Sequence, residues 1–169
     1  MKLHSARVPQ MAAEMLDGIL KAKDIETDAP AEVHADIEAV LNQYIRDEIA
    51  VTEKAKDLVA QRSLPQTEFS RIKKLVADER KIKLGDDGVD YLLDQLVEML
   101  MHSSNVEEVF AEDYELRRKM REPLRKQIAE EQSLVDEVRG QLKHVQEGTG
   151  LWEVEYRRMM EDVRRRKGL

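Results

Sequence analysis

Val33, Ile37, Val40, Leu41, Tyr44, Ile45, Ile49, Ala55, Leu58 and Val59 recur at the three- and four-residue spacing of an α-helix, between the breakers Asp28-Ala29-Pro30 and Ser63-Leu64-Pro65. The pattern predicts a helix of roughly thirty residues. Such a helix gains most of its stability from packing its apolar stripe, so the stripe needs partners along its whole length. A chain of 169 residues can supply them only from its own shorter helices or from another molecule.

Those shorter helices are legible. Val8, Met11, Ala12, Met15, Leu16 and Ile19 form a first stripe, with Pro9 in the first turn, where a missing backbone donor is tolerated. Phe69, Ile72, Leu75 and Val76 form a third. Gly85-Asp86-Asp87-Gly88 then supplies a stop and a new start. Val89, Leu92, Leu93, Leu96, Val97 and Leu100 mark a fourth helix. Met120, Leu124, Ile128, Leu134, Val138, Leu142 and Val145 mark a long fifth, and Trp152, Tyr156, Met159 and Met160 a sixth. If the fifth runs unbroken over 109–145 it spans roughly 55 Å, which predicts an elongated molecule. Pro123 removes a backbone donor and crowds the preceding turn, so it is expected to kink that helix or divide it near Glu122. The composition agrees with helices: 37% charged and 4% aromatic residues, seven Gly and four Pro.

The order of stripes repeats. Lys2-Leu3, Val8, Met11, Met15, Leu16, Ile19, Leu20 and Ile25-Glu26 match Lys83-Leu84, Val89, Leu92, Leu96, Val97, Leu100, Met101 and Val106-Glu107 at a constant offset of 81 residues. After a two-residue deletion, Ile37, Leu41, Ile45, Ile49, Ala55 and Val59 match Leu116, Met120, Leu124, Ile128, Leu134 and Val138. Ile72, Leu75, Val76, Asp78 and Arg80 then face Tyr156, Met159, Met160, Asp162 and Arg164 beyond a longer loop containing Gly148-Thr149-Gly150. This reads as internal duplication. The expectation is an all-α, elongated bundle of about six helices, as two short-long-short repeats, 1–82 and 83–169, packed into one unit about a pseudo-twofold axis.

The Lys-Leu opening before an amphipathic helix and the closing Trp152-Glu153-Val154-Glu155-Tyr156-Arg157-Arg158, followed by Arg164-Arg165-Arg166-Lys167-Gly168, resemble a bacterial family catalogued as domain of unknown function 507. Many of its members look like one copy of this unit. The resemblance implies a helical fold and a bacterial origin, and transfers no functional residue. The first repeat departs from the pattern, having no Trp and ending in Arg80-Lys81-Ile82-Lys83.

Charge supplies the one regional signal. Arg71 to Lys83 and Arg157 to Lys167 each carry six basic and two acidic residues in a chain of net charge −7, so the remainder is strongly acidic. The second cluster, Arg157, Arg158, Arg164, Arg165, Arg166 and Lys167, is a candidate surface for phosphate backbones or an acidic partner. The competing explanation is structural: cations in a last turn complement the helix dipole and pair with acidic neighbouring faces. Nucleic acid is further disfavoured because only Tyr156 interleaves the basic run. Trp152 and Tyr156, one turn apart, either anchor the last helix on the core or join the basic residues in a partner-binding patch.

Chemical sites are harder to find. With no cysteine, thiolate metal sites, disulfides and cysteine nucleophiles are excluded. No Glu lies three residues before His4, His34, His102 or His144, so the inward Glu-x-x-His pairs of carboxylate-bridged metal sites are absent. His34 with Glu38 is a commonplace surface pair. No Gly-x-Ser-x-Gly elbow, phosphate-cradling loop or GxGxxG occurs, and Thr149 reads as a helix cap. Adjacent acids such as Glu130-Glu131 and Glu107-Glu108 fall on different azimuths and are expected on solvated surface.

The sequence therefore points to a non-enzymatic helical interaction or scaffold module acting through protein contacts, without catalytic residues, cofactor or metal. The candidate surface comprises Trp152, Tyr156, Arg157, Arg158, Arg164, Arg165, Arg166 and Lys167. A ribosome- or nucleic-acid-associated role through the basic last helix is the first alternative and an undetected enzyme the second. Met1 to Pro9 lacks the apolar run of a secretory signal, so the expected compartment is the cytoplasm, with no membrane partner and with homo-oligomers left open.

Overall fold

The computed structural model describes residues 1–169 and shows an all-α bundle of six helices. They are α1 (Val8–Lys21), α2 (Pro30–Gln61), α3 (Phe69–Glu79), α4 (Asp86–His102), α5 (Asp113–Gln141) and α6 (Gly150–Lys167). Pro9 and Pro30 both sit in first turns, where the fixed φ favours helix initiation. α2 has 32 residues and so extends about 48 Å.

α5 is shorter than the stripe suggested. Its start is fixed by a reciprocal cap, in which the Glu112 side chain accepts from the backbone of Glu115 and the Glu115 carboxylate accepts from the Glu112 N–H at 3.1 Å. Pro123 does not divide it: the helix is continuous from Asp113 to Gln141. A mid-helix proline costs about 3 kcal/mol. Here its ring is itself buried, and Met120 and Leu124 on either side are fully buried, so packing offsets the lost backbone bond.

α1 and α4 each pack against both long helices, α2 and α5, while α3 packs on α2 and α6 on α5. Exchanging 1–82 with 83–169 leaves this set of contacts unchanged. One core of 28 buried residues joins the two halves, from Met11, Met15 and Ile19 on α1 to Leu92, Leu96 and Leu100 on α4. Two residues of the second and third stripes are exposed instead. Ile49 is 57% exposed and Leu75 50%. The buried line of α2 passes from Ile45 through half-buried Glu48 to Val51, leaving Ile49 on the flank.

Helical periodicity did not reveal one small element. β1 (Ile25–Glu26) pairs antiparallel with β2 (Glu108–Val109), Ile25 opposite Val109 and Glu26 opposite Glu108. Both segments cross between helices, and extended backbone there needs partners for its polar groups. The Asp24 carbonyl accepts from Phe110 N–H at 2.8 Å, and the Asp24 carboxylate, buried, meets Lys119 at 2.5 Å. Alongside, Asp36 of α2 accepts from Ser103 Oγ at 2.7 Å and Asn105 Nδ2 at 2.9 Å, fastening the second crossover to the first half.

Candidate binding surface on the C-terminal helix

α6 begins where Thr149 caps it: the hydroxyl oxygen accepts from Trp152 N–H at 3.2 Å and donates to the Gln146 carbonyl at 2.8 Å. It ends at Gly168, whose φ of 68° lies in the left-handed region that terminates helices. Only α5 provides it with extensive packing. Leu134 and Val138 of α5, Leu142 just beyond its end and Val163 of α6 make a second, small core, covered by half-buried Trp152, Tyr156, Met159 and Met160. The α5–α6 hairpin thus has an apolar cluster of its own.

A polar layer separates this cluster from the main core. Arg164 grips Glu131 through two hydrogen bonds, 2.8 and 2.6 Å, and Glu131 is only 4% exposed. Arg7 donates to Gln127 Oε1 and to Glu130, both at 3.0 Å. His4 stands beside this layer, and burial, reinforced by the Arg164 charge, lowers its pKa. Glu131 is therefore no solvated acid. Adjacent in sequence, Glu130 and Glu131 diverge by one helical step, which puts one at the rim and the other inside.

The eight residues singled out from the sequence separate into groups. Arg164 is held in the buried pair and is unavailable to a partner. Lys167 and Arg166 share Glu137 at 2.7 and 3.6 Å, and the Lys167 hydrogen bond holds the Glu137 carboxyl below its ordinary pKa. Arg165 approaches Asp162 at 4.0 Å, and Arg158 pairs with Glu155 at 2.9 Å. The basic end of α6 therefore turns largely toward acids of α5 and of its own helix.

Trp152, Tyr156 and Arg157 remain together. The two rings stack at 4.8 Å between centroids with planes 20° apart, and burial raises the Tyr156 pKa. With Arg157, which makes no ion pair, they line a cleft of about 420 Å³ that also takes in His4, Lys56 and Met160. Leu151 and Val154 lie on the same N-terminal half of α6 and are 63% and 59% exposed. They were not picked out from the sequence. Their signal, two large apolar residues off the Trp152–Tyr156–Met159 line, was present in the helical phase.

This is a helical bundle whose last helix packs its aromatic pair on a small core and leaves Leu151 and Val154 exposed. The whole chain, residues 1–169, matches the family described as a protein of unknown function, DUF507, and belongs to that family. The match covers the full length without dividing it. No curated protein matches the chain.

Proposed function

We propose that this protein is a non-enzymatic helical module that binds another protein through the N-terminal half of α6. The observation that carries this reading is the exposure of Leu151 and Val154, three residues apart on the solvent side of α6. Arg157 follows Leu151 and Val154 at the same three-residue step and makes no ion pair, so it offers that face an arginine with no internal partner, a side chain enriched at binding hot spots. The pairing of Arg164, Arg166 and Lys167 with Glu131 and Glu137 weighs against the nucleic-acid alternative. No helix is long and apolar enough to cross a membrane. We propose further that it acts in the cytoplasm and that 1–82 and 83–169 are diverged copies of one unit, a reading supported by the exchangeable helix contacts.

Affinity capture from nuclease-treated native lysate tests this. The intact chain should retain a protein partner that is lost with Leu151→Glu and Val154→Glu but kept with Arg165→Gln and Arg166→Gln. Loss of every partner on nuclease treatment would reverse the ranking in favour of nucleic acid.

A further inference from the structure

The two basic segments have different fates in the fold. In α6 every cation but Arg157 is drawn into a pair with Glu131, Glu137, Asp162 or Glu155. In and beyond α3, Arg71 pairs with Glu68 and Lys83 approaches Asp78 at 4.0 Å, but Lys73 and Lys74 make no ion pair. Lys73 is half-buried and lines two adjoining clefts of about 640 and 610 Å³. In the larger, Arg121 is held by Asp90, Arg139 by Glu147 and Glu131 by Arg164. That leaves Lys2, Lys73 and Arg125, from three separate segments, facing one cleft with no carboxylate within 4 Å, although Lys73 and Lys2 act on nearby Glu48 and Arg125 on Asp90.

We propose that this cleft, where α3, α4 and α5 meet the N-terminal segment, binds a compact polyphosphate group of a small ligand through Lys73 and Arg125, with Lys2 at its rim. Several unpaired cations converging from different elements suit an anion of more than one charge, and the arginine adds a planar fork for phosphate oxygens. The acidic residues of the same cleft select for compactness. Glu48 and Asp86 share its walls and Asp87 lines the adjoining one, so an extended nucleic-acid backbone would meet carboxylates beyond the three cations. Glu48 is half-buried, and desolvation raises its pKa against the opposing charges of Lys73, the N-terminus and Lys2.

Isothermal titration of the full chain with inorganic pyrophosphate at low salt tests the proposal. Lys73→Gln and Arg125→Gln should each weaken binding about tenfold or more, the scale of one lost charge-assisted hydrogen bond. Glu48→Gln should tighten it, and Arg165→Gln with Arg166→Gln, equal in charge change but on α6, should leave it unchanged. None of the four neutralised cations supports the core, so circular dichroism should show an intact fold in each variant. No binding at millimolar pyrophosphate, or equal weakening by the α6 pair, would overturn the site. A single-stranded oligonucleotide binding more tightly than pyrophosphate, and displacing it, would overturn the compact ligand.

Discussion

Glu131 and Arg164, 33 positions apart, form a two-pronged ion pair inside the α5–α6 hairpin, at the point where the main core gives way to the smaller one. It is the closest tie between the C-terminal turn of α6 and α5, and it turns a residue that reads as surface charge into a structural one.

Removing one partner should therefore cost more than a surface pair would. Arg164→Ala leaves a carboxylate buried without its counter-ion, a loss of about 3 kcal/mol. For a chain of this size that corresponds to a fall in Tm of roughly 6 to 12 °C. Arg165→Ala, one residue on and exposed, should stay within about 0.5 kcal/mol of the parent. Calorimetry on the two variants decides it: equal effects would contradict the structural role.

The same layer predicts a pH dependence. His4 has its pKa lowered below 6.5 by burial first and then by Arg164. The unfolded chain thus takes up the proton before the folded one, and stability should fall as pH drops below that value. Lys2 and Arg7 add to the depression and Glu131 opposes it. The difference in Tm between the parent and His4→Asn, followed from pH 7 to pH 5, isolates this group from other titrations. A difference that does not change over the range would show that His4 contributes nothing.

Gly88 and Tyr44 tie the halves together at the start of α4. The Tyr44 hydroxyl donates to the Lys83 carbonyl at 3.1 Å, and a Cβ on Gly88 would run into that hydroxyl. Gly88→Ala should destabilise by about 1 to 3 kcal/mol despite the better helix propensity of alanine. In a Tyr44→Phe background the cost should shrink, because the obstructing oxygen is gone. Denaturant unfolding of the four proteins in the cycle measures the coupling, and strict additivity would refute it.

Asp36 holds the second crossover through Ser103 and Asn105. Asp36→Ala should cost about 2 kcal/mol, in the range for hydrogen bonds to a charged group. It should also speed exchange of the Glu107 and Phe110 amides, which bond across the crossover to Glu26 and Asp24. Unchanged exchange at those amides would mean that the strand pairing stands without the clasp.

Much of this architecture was readable from spacing. Val8, Met11, Met15 and Ile19 lie in the core as their periodicity required, and the breakers at Pro30 and Gly85 sit at helix starts. Periodicity failed where burial depends on a neighbour from elsewhere in the chain. Glu131 is inside because Arg164 comes to meet it, and Pro123 is tolerated because the core closes over its ring. The strand pairing rests on backbone groups, which carry no side-chain pattern. At the candidate surface, Trp152 and Tyr156 were legible as a one-turn pair. The division of the basic residues into paired and free depended on which faces of α5 carry Glu131 and Glu137.

The central claim is that the N-terminal half of α6 meets another protein, and site-specific photocrosslinking in the native cell tests it most directly. A photoreactive phenylalanine analogue at Leu151 or Val154 should yield a discrete, nuclease-resistant protein adduct, and the same probe at Arg165 should yield none. Adducts only with nucleic acid, or equal protein adducts at all three positions, would contradict it.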